Sequence, residues 1–221
     1  MIAGQSNAVG TDTYDGVGLH PTGTYEWRQG GGYAVSRSQL DHPGFKLGDM
    51  GLDITFAEQY LLANPTATIV FIPCADGGTS FTANDWNVGD PLYNAAVSRA
   101  NAAIAFFGVP LSGILWHQGE SDTAMTQAAY ETALQGMVNG MRSEITNAAS
   151  VPLVVGELGS FFAGGANVNA ALNNVRSLLA NSAVSLNTSL TDTGDNTHFN
   201  AASLRTMGER YHTEWSTTAQ S

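Results

Sequence analysis

Apolar positions along this chain fall into two kinds of run, and the two kinds alternate. Short continuous runs rich in β-branched residues predict strands covered on both faces: Ala67 to Pro73, Ser112 to Trp116 and Pro152 to Val155. Met1-Ile2-Ala3 is a strand stub before them, and Ala183 to Leu186 is a weak strand after them. Between these runs the apolar residues recur at spacings of three and four. Ile54, Phe56, Ala57, Tyr60 and Leu61 predict a helix that Asp53 caps and Asn64-Pro65 ends. A second helix opens at Asp90-Pro91, a cap followed by proline at the first helical position, and stops at Gly108. Tyr130, Leu134, Met137, Met141 and Ile145 line one face of a third helix, and Val168, Leu172, Val175 and Leu179 one face of a fourth. Leu204, Met207, Tyr211 and Trp215 stripe a last helix over roughly residues 200–216.

Strand followed by helix, about five times over, implies a parallel sheet with helices on both faces. The expected fold class is therefore α/β, a three-layer α/β/α sandwich with a sheet of about five strands. No repeat, low-complexity tract or composition shift divides the chain, so residues 1–221 read as one domain. Residues 10–52 break the pattern. They are rich in glycine, hold Tyr14, Tyr25, Trp27 and Tyr33, show no helical or strand period, and are expected to form a long loop.

In such folds ligands bind at the carboxyl ends of the strands. Four polar segments follow predicted strands: Gly4–Asn7, Ala75–Thr79, His117–Asp122 and Asp195–His198. They are expected to collect on one edge of the sheet. Ser6 sits on a strand–turn–helix junction, where it serves either as a helix N-cap or as a presented hydroxyl. A serine hydroxyl becomes a nucleophile only when a base takes its proton, and histidine is the usual base near neutral pH. The base in turn needs an acceptor on its second nitrogen. Asp195 lies three residues before His198, so Ser6, His198 and Asp195 can form a relay drawn from the two ends of the chain. The plainer alternative makes Asp195 a cap of the last helix and His198 a surface histidine.

An oxyanion needs donors. The candidates are the Ser6 N–H, a glycine N–H at Gly77-Gly78, with Gly78 preferred, and the side-chain amide of Gln118. Their alternatives are a turn glycine and a polar tie between loops. Glu120 either holds its loop through buried hydrogen bonds, the preferred role, or replaces Asp195 as partner of His198. Other chemistries fit poorly. Gly4-Gln5-Ser6-Asn7-Ala8 lacks the second glycine of a G-x-S-x-G elbow. His117, Cys74, Glu120 and Asp122 have no recognised metal spacing, and no glycine-rich phosphate loop with a following lysine is present. His20, His42 and His212 read as ordinary loop or helix histidines.

Composition narrows the partners. The 221 residues are 43% hydrophobic and only 12% charged, with a formal net charge of -11. Lys46 is the single lysine and the arginines are scattered, so a nucleic-acid backbone is not an expected partner. A neutral substrate such as a sugar suits this charge better than a polyanion. Cys74 is alone, which rules out an intrachain disulfide. No apolar run approaches the ~18–20 residues of a membrane span, and the start of the chain lacks the basic and apolar regions of a signal peptide. The compartment stays open. Asn187-Thr188-Ser189 matches a glycosylation sequon.

Gly4-Gln5-Ser6-Asn7, Gly77-Gly78, His117-Gln118-Gly119-Glu120-Ser121-Asp122 and Asp195-x-x-His198 together resemble the ordered blocks of SGNH hydrolases. Within that superfamily the chain is similar to the sialate O-acetylesterase-like branch, which includes the acetylxylan esterases of carbohydrate esterase family 6. The resemblance runs from Ser6 to Gly208-Glu209-Arg210. It implies a flavodoxin-like sandwich with Ser6 as nucleophile, His198 as base and Asp195 orienting the base. It also implies an oxyanion hole of the Ser6 and Gly78 backbone with Gln118. The implied reaction is acetyl-ester hydrolysis through an acyl-serine, with no metal and no organic cofactor, on an acetylated carbohydrate or other small acetyl ester. The glutamate of the H-Q-G-E block serves as the acid in some relatives, which keeps Glu120 open. The family's first strand begins several residues before the Gly-Gln-Ser-Asn turn. Only Met1-Ile2-Ala3 precede it here, so a clipped first strand is expected. Tyr14, Tyr25, Trp27, Phe81 and Trp86 are expected to offer apolar faces to sugar rings. Two alternatives stand beside this expectation: a non-catalytic carbohydrate-binding or structural module that retains the fold, and a short-chain lipid or thioester hydrolase.

Overall fold

The apolar runs become strands because each is flanked by a turn and, apart from the half-buried Ile69 and Val70, covered on both faces. The computed structural model describes residues 1–13, 20–37, 39–44 and 50–219. In chain order it contains β1 (Ile2–Gly4), α1 (Ser6–Val9), β2 (Thr24–Trp27), β3 (Tyr33–Val35), α2 (Asp53–Ala63), β4 (Ile69–Phe71) and α3 (Pro91–Phe107). There follow β5 (Ile114–His117), α4 (Gln127–Glu144), β6 (Leu153–Gly156), α5 (Ala166–Asn173), α6 (Val175–Leu178), β7 (Ser182–Ser185) and α7 (Ala201–Ala219).

β1, β5, β6 and β7 form a parallel sheet in that order. The chain leaving β4 runs beside β1 on its other side. Ile2 donates to the Ile72 carbonyl at 3.0 Å, Cys74 to that of Ile2 at 2.8 Å, and Asp76 to that of Gly4 at 3.0 Å. Counting β4 as the second parallel strand, the sheet has the flavodoxin-like order.

Side-chain alternation along the strands splits the interior into two cores. Ile2, Leu115, Val154 and Ala183 lie in register across the sheet and face α1, α2 and α7. Ala3, Trp116, Val155 and Val184 form the next row and face α3, α4 and α5. This is the three-layer sandwich that the alternating pattern predicts. Among the described residues no helix is long and apolar enough to cross a membrane.

Several local expectations change. The stretch 10–52 is not featureless: β2 runs parallel to β4, and β3 folds back antiparallel on β2. The apolar pattern of β2 is interrupted by Glu26, whose buried carboxylate accepts from Arg28 at 2.9 Å and from the Asp41 N–H at 2.7 Å. The helix expected over Val168–Leu179 is two helices that turn at Asn174. Its amide donates to Glu131 at 3.0 Å, and its Oδ1 accepts from Ser177 at 2.5 Å, a local polar competition that ends α5. Asp53 is not the cap of α2. It lies in the first turn, with Leu52 at the cap position, and pairs with the buried His20. Asn187 of the sequon is fully buried and bonded to Ser185 and Glu157, which closes it to glycosylation in the folded chain.

Candidate active site

The turn from β1 to α1 is made possible by Gly4. Its φ is +128°, and a Cβ there would lie 2.0 Å from the His117 carbonyl oxygen of β5. Glycine therefore lets the two strands close up before the chain turns, and Gln5 N–H bonds that same carbonyl at 2.9 Å. Gln5 takes the cap position, so Ser6 is the first residue of α1 and not its cap.

Ser6 Oγ lies 3.1 Å from His198 Nε2, and His198 Nδ1 lies 2.6 Å from Asp195 Oδ2. Asp195 does not cap α7, which begins at Ala201. Its Oδ1 instead accepts the N–H groups of Thr197 at 2.9 Å and His198 at 2.8 Å. Burial alone would raise this carboxyl. The hydrogen bonds from the backbone and imidazole of His198 and from Thr197 outweigh that effect and hold it down at about 2. Ser6 is 4% exposed and the His198 side chain 25%, so the hydroxyl is sheltered while the imidazole opens to solvent.

All four flagged segments meet at this carboxyl edge. Ser6, Gly77, Gly78, Glu120, Thr197 and His198 line a cleft of about 400 Å³ together with Gln5, Ser121 and Phe162. Gly78 has φ +74° and open space where a side chain would begin. Among the described residues, neither the Ser6 N–H nor the Gly78 N–H donates to any acceptor.

Gln118 does not line the cleft. It is fully buried, and its amide nitrogen donates to Asp122 at 2.8 Å, Gln5 at 3.2 Å and the Thr79 carbonyl at 3.3 Å. Asp122, also fully buried, accepts from Phe81 N–H at 2.8 Å and from the Thr82 hydroxyl at 2.7 Å. The geometry of Gln118 is thus that of a tie between loops rather than a donor aimed at substrate. Glu120 does line the cleft, but its carboxylate accepts from Asn7 at 2.6 Å and faces His117 at 3.7 Å. Burial raises its carboxyl, and the contacts with His117 and Asn7 overcome this and lower it. The partner of His198 is Asp195.

The expected aromatic platform is not at this cleft. Trp27, Phe81 and Trp86 are buried, the last packed edge-on against Trp116 with ring centroids 5.1 Å apart. Their size and apolarity draw them into the core, and Phe162 is the aromatic residue at the cleft. Tyr25 and Tyr33 line a different groove of about 540 Å³ at the amino end of the sheet, whose described lining holds no His, Cys, Asp, Glu, Lys or Arg side chain. Tyr14 lies outside the described residues. Among the described residues, no group of three or more His, Cys, Asp and Glu side chains is arranged to hold a metal ion.

Sequence reasoning missed Asn7, Gln5 and Asp122. All three are short polar side chains within or beside flagged blocks, and all are buried. Their partners lie as far as 192 residues away, beyond any local pattern.

A parallel sheet of flavodoxin-like order, with serine, histidine and aspartate meeting at its carboxyl edge, has the layout of SGNH-type hydrolases. The chain belongs to the carbohydrate esterase, sialic acid-specific acetylesterase family, whose profile matches residues 1–217. A curated relative is the probable carbohydrate esterase At4g34215 of Arabidopsis thaliana, 29% identical over 106 residues. That match covers 47% of this chain and 39% of the relative's length. The solved structure of At4g34215 aligns with a TM-score of 0.84 at 20% identity, over 98% of this chain and 96% of the other. NanS aligns at 0.77 and 19% identity, over 98% and 95%. XAC1771, described as a novel carbohydrate acetylesterase from Xanthomonas citri, aligns at 0.73 and 17% identity, over 99% and 55%. At these identities the three structures show the shared fold.

Proposed function

We propose that this chain is a serine esterase that removes acetyl groups from a carbohydrate. The observation that carries the proposal is the unbroken contact from Ser6 Oγ through His198 to Asp195 at the edge where such sheets bind ligands. Membership of a carbohydrate esterase family supports the reaction class.

His198 Nε2 takes the Ser6 proton as Oγ attacks the acetyl carbonyl carbon. Negative charge then develops on the carbonyl oxygen, and the uncommitted N–H groups of Ser6 and Gly78 are the donors proposed to meet it. His198 returns the proton to the departing sugar oxygen, leaving an acetyl-serine. Water, deprotonated by His198, then attacks that ester. As the bond from the acyl carbon to Ser6 Oγ breaks, His198 returns the proton to Oγ, and acetic acid leaves and ionises to acetate. Asp195 stays ionised through the cycle, holds the imidazole in one tautomer and balances its positive form. Gln118 supports the loop from behind, and Glu120 acts through Asn7 rather than on His198.

The test is hydrolysis of a short aryl acetate and of O-acetylated oligosaccharides by wild type, Ser6→Ala and His198→Ala. Wild type is expected to release acetate from both, and each variant to lose about 10³-fold or more in kcat while remaining folded. A wild type no faster than Ser6→Ala would sink the proposal. Sugar binding without turnover would then point to a binding module on the same fold.

A further inference from the structure

We infer that Asn7 is a positioning residue for His198, holding the base against Ser6 as one arm of a clamp whose other arm is Glu120. The inference rests on the Ser6–His198–Asp195 relay proposed above. The Asn7 side chain bonds the peptide groups on both sides of His198. Its Nδ2 donates to the Thr197 carbonyl at 3.1 Å, and its Oδ1 accepts from the Phe199 N–H at 3.0 Å. The second Nδ2 hydrogen goes to Glu120 Oε1 at 2.6 Å. A carboxamide has two donors and one oxygen acceptor. A carbonyl and a carboxylate can only accept, and a peptide N–H can only donate, so these partners fix which way the amide points.

Asn7 is fully buried, and its bonds to Glu120 and Phe199 are buried at both ends, while the Thr197 carbonyl lies at the half-buried cleft edge. It is also the residue after Ser6 in the same helical turn. The nucleophile and the clamp therefore move together, and the bonds to Thr197 and Phe199 set the reach from Ser6 Oγ to His198 Nε2. Asp195 fixes the imidazole from its Nδ1 side and Asn7 fixes the backbone that carries it. Glu120 is anchored independently of His198. It faces His117, whose Nδ1 meets the Tyr211 hydroxyl at 3.1 Å, and that hydroxyl donates to the Trp116 carbonyl at 2.8 Å. The clamp is thus braced on the central strand and on the last helix.

The experiment uses the whole chain and compares wild type with Asn7→Asp, Asn7→Ala, Glu120→Gln and the double variant Asn7→Asp/Glu120→Gln, with Ser6→Ala as control. Asn7→Asp keeps the shape and the acceptor for Phe199. It removes the donors to Thr197 and Glu120 and sets two carboxylates together. Its kcat on a short aryl acetate is expected to fall about 10²-fold, the scale of a misplacement near 1 Å, with KM close to wild type. In the double variant the direction of the bond is reversed: the new amide at position 120 can donate to the new carboxylate at position 7. About tenfold of the lost kcat is expected to return.

A second readout needs no turnover. The short hydrogen bond from His198 Nδ1 to Asp195 is expected to give a downfield proton resonance in wild type and in Ser6→Ala. It is expected to broaden or vanish in Asn7→Asp and Asn7→Ala. An unchanged kcat per folded molecule with the resonance intact and only a lower Tm would overturn the clamp, leaving Asn7 a packing role. So would a double variant no better than Asn7→Asp. If Ser6→Ala is as active as wild type, the esterase proposal fails. The clamp is then judged on the resonance alone, whose survival in Asn7→Asp overturns it.

Discussion

Asp195 keeps its charge because of where the backbone points. Two N–H groups and the imidazole converge on one carboxylate, and they outweigh the burial that would neutralise it. Its folded pKa, about 2, lies below the ordinary unfolded value of about 3.9. A depressed carboxyl contributes stability that is complete above the unfolded value and is lost as pH falls through the folded one. Wild type should therefore melt above Asp195→Asn from neutral pH down to about pH 4, with the gap in Tm closing as pH approaches 2. The same variant should lower kcat on an aryl acetate by up to about 10⁴-fold, because an amide can hold the imidazole in the wrong tautomer. At this scale the meeting of Ser6, His198 and Asp195 was legible in the chain. Asp195 and His198 are three residues apart, and Ser6 follows a recognisable strand stub. For Glu120 the preferred loop-holding role was legible but its partners were not. Neither the inward turn of Gln118 nor the bonds of Asn7 could be read, because each depends on which of several polar neighbours lies within about 3 Å after packing.

Elements are placed by periodicity and by a few close approaches that only glycine allows. α4 shows the first: Tyr130, Leu134, Met137 and Met141 are all buried along one face, as their spacing predicts. Gly4 shows the second. Gly4→Ala would combine a strained φ with a contact against the β5 backbone that cannot give way. The strain alone is worth about 1–3 kcal/mol, so the urea midpoint should drop sharply and Ser6 should lose its position even in the folded fraction. α7 meets α2 in a similar way: a Cβ on Gly208 would lie 2.2 Å from the Leu52 carbonyl oxygen. Tyr211 of α7 spans to the sheet through its hydroxyl, which contacts both Trp116 and His117. Tyr211→Phe leaves those two groups short of a partner and should cost about 1–3 kcal/mol in chemical denaturation, with little change in the fold. β2 escaped the sequence pattern because Glu26 is buried in it, and a charged residue inside a strand is visible only once Arg28 and the Asp41 N–H are seen around it.

The whole molecule brings its two ends together. β1 lies inside the sheet and α7 covers one face, so residues 192 positions apart share a hydrogen bond between hydroxyl and imidazole. The net charge of -11 acts at this scale as well. Its field reaches about 10 Å at 0.1 M salt and disfavours the approach of anions. For a pair of aryl acetates alike except for one sulfonate, kcat/KM of the anionic ester should rise with added salt while that of the neutral ester stays flat. Equal salt dependence for the two would remove the field as a determinant of substrate choice.

The chain by itself determined the alternation of strands and helices, the parallel sheet, the edge where polar segments gather, and the identity of the serine, histidine and aspartate that meet there. The first three follow from local periodicity and from the rule that parallel strands present their carboxyl ends to ligands, while the choice of serine, histidine and aspartate rests on what a nucleophile needs and on the resemblance of the ordered blocks to SGNH hydrolases. Tertiary structure decided the rest. It sent Phe81 and Trp86 into the core, turned the Gln118 amide inward, gave Glu120 to Asn7 and His117, and added β2 and β3 beside β4. The physical reason is one of range. A burial pattern is written within a few residues, whereas a polar side chain's partner is set by distances of about 3 Å between segments that meet only when the sheet and both helical layers have closed.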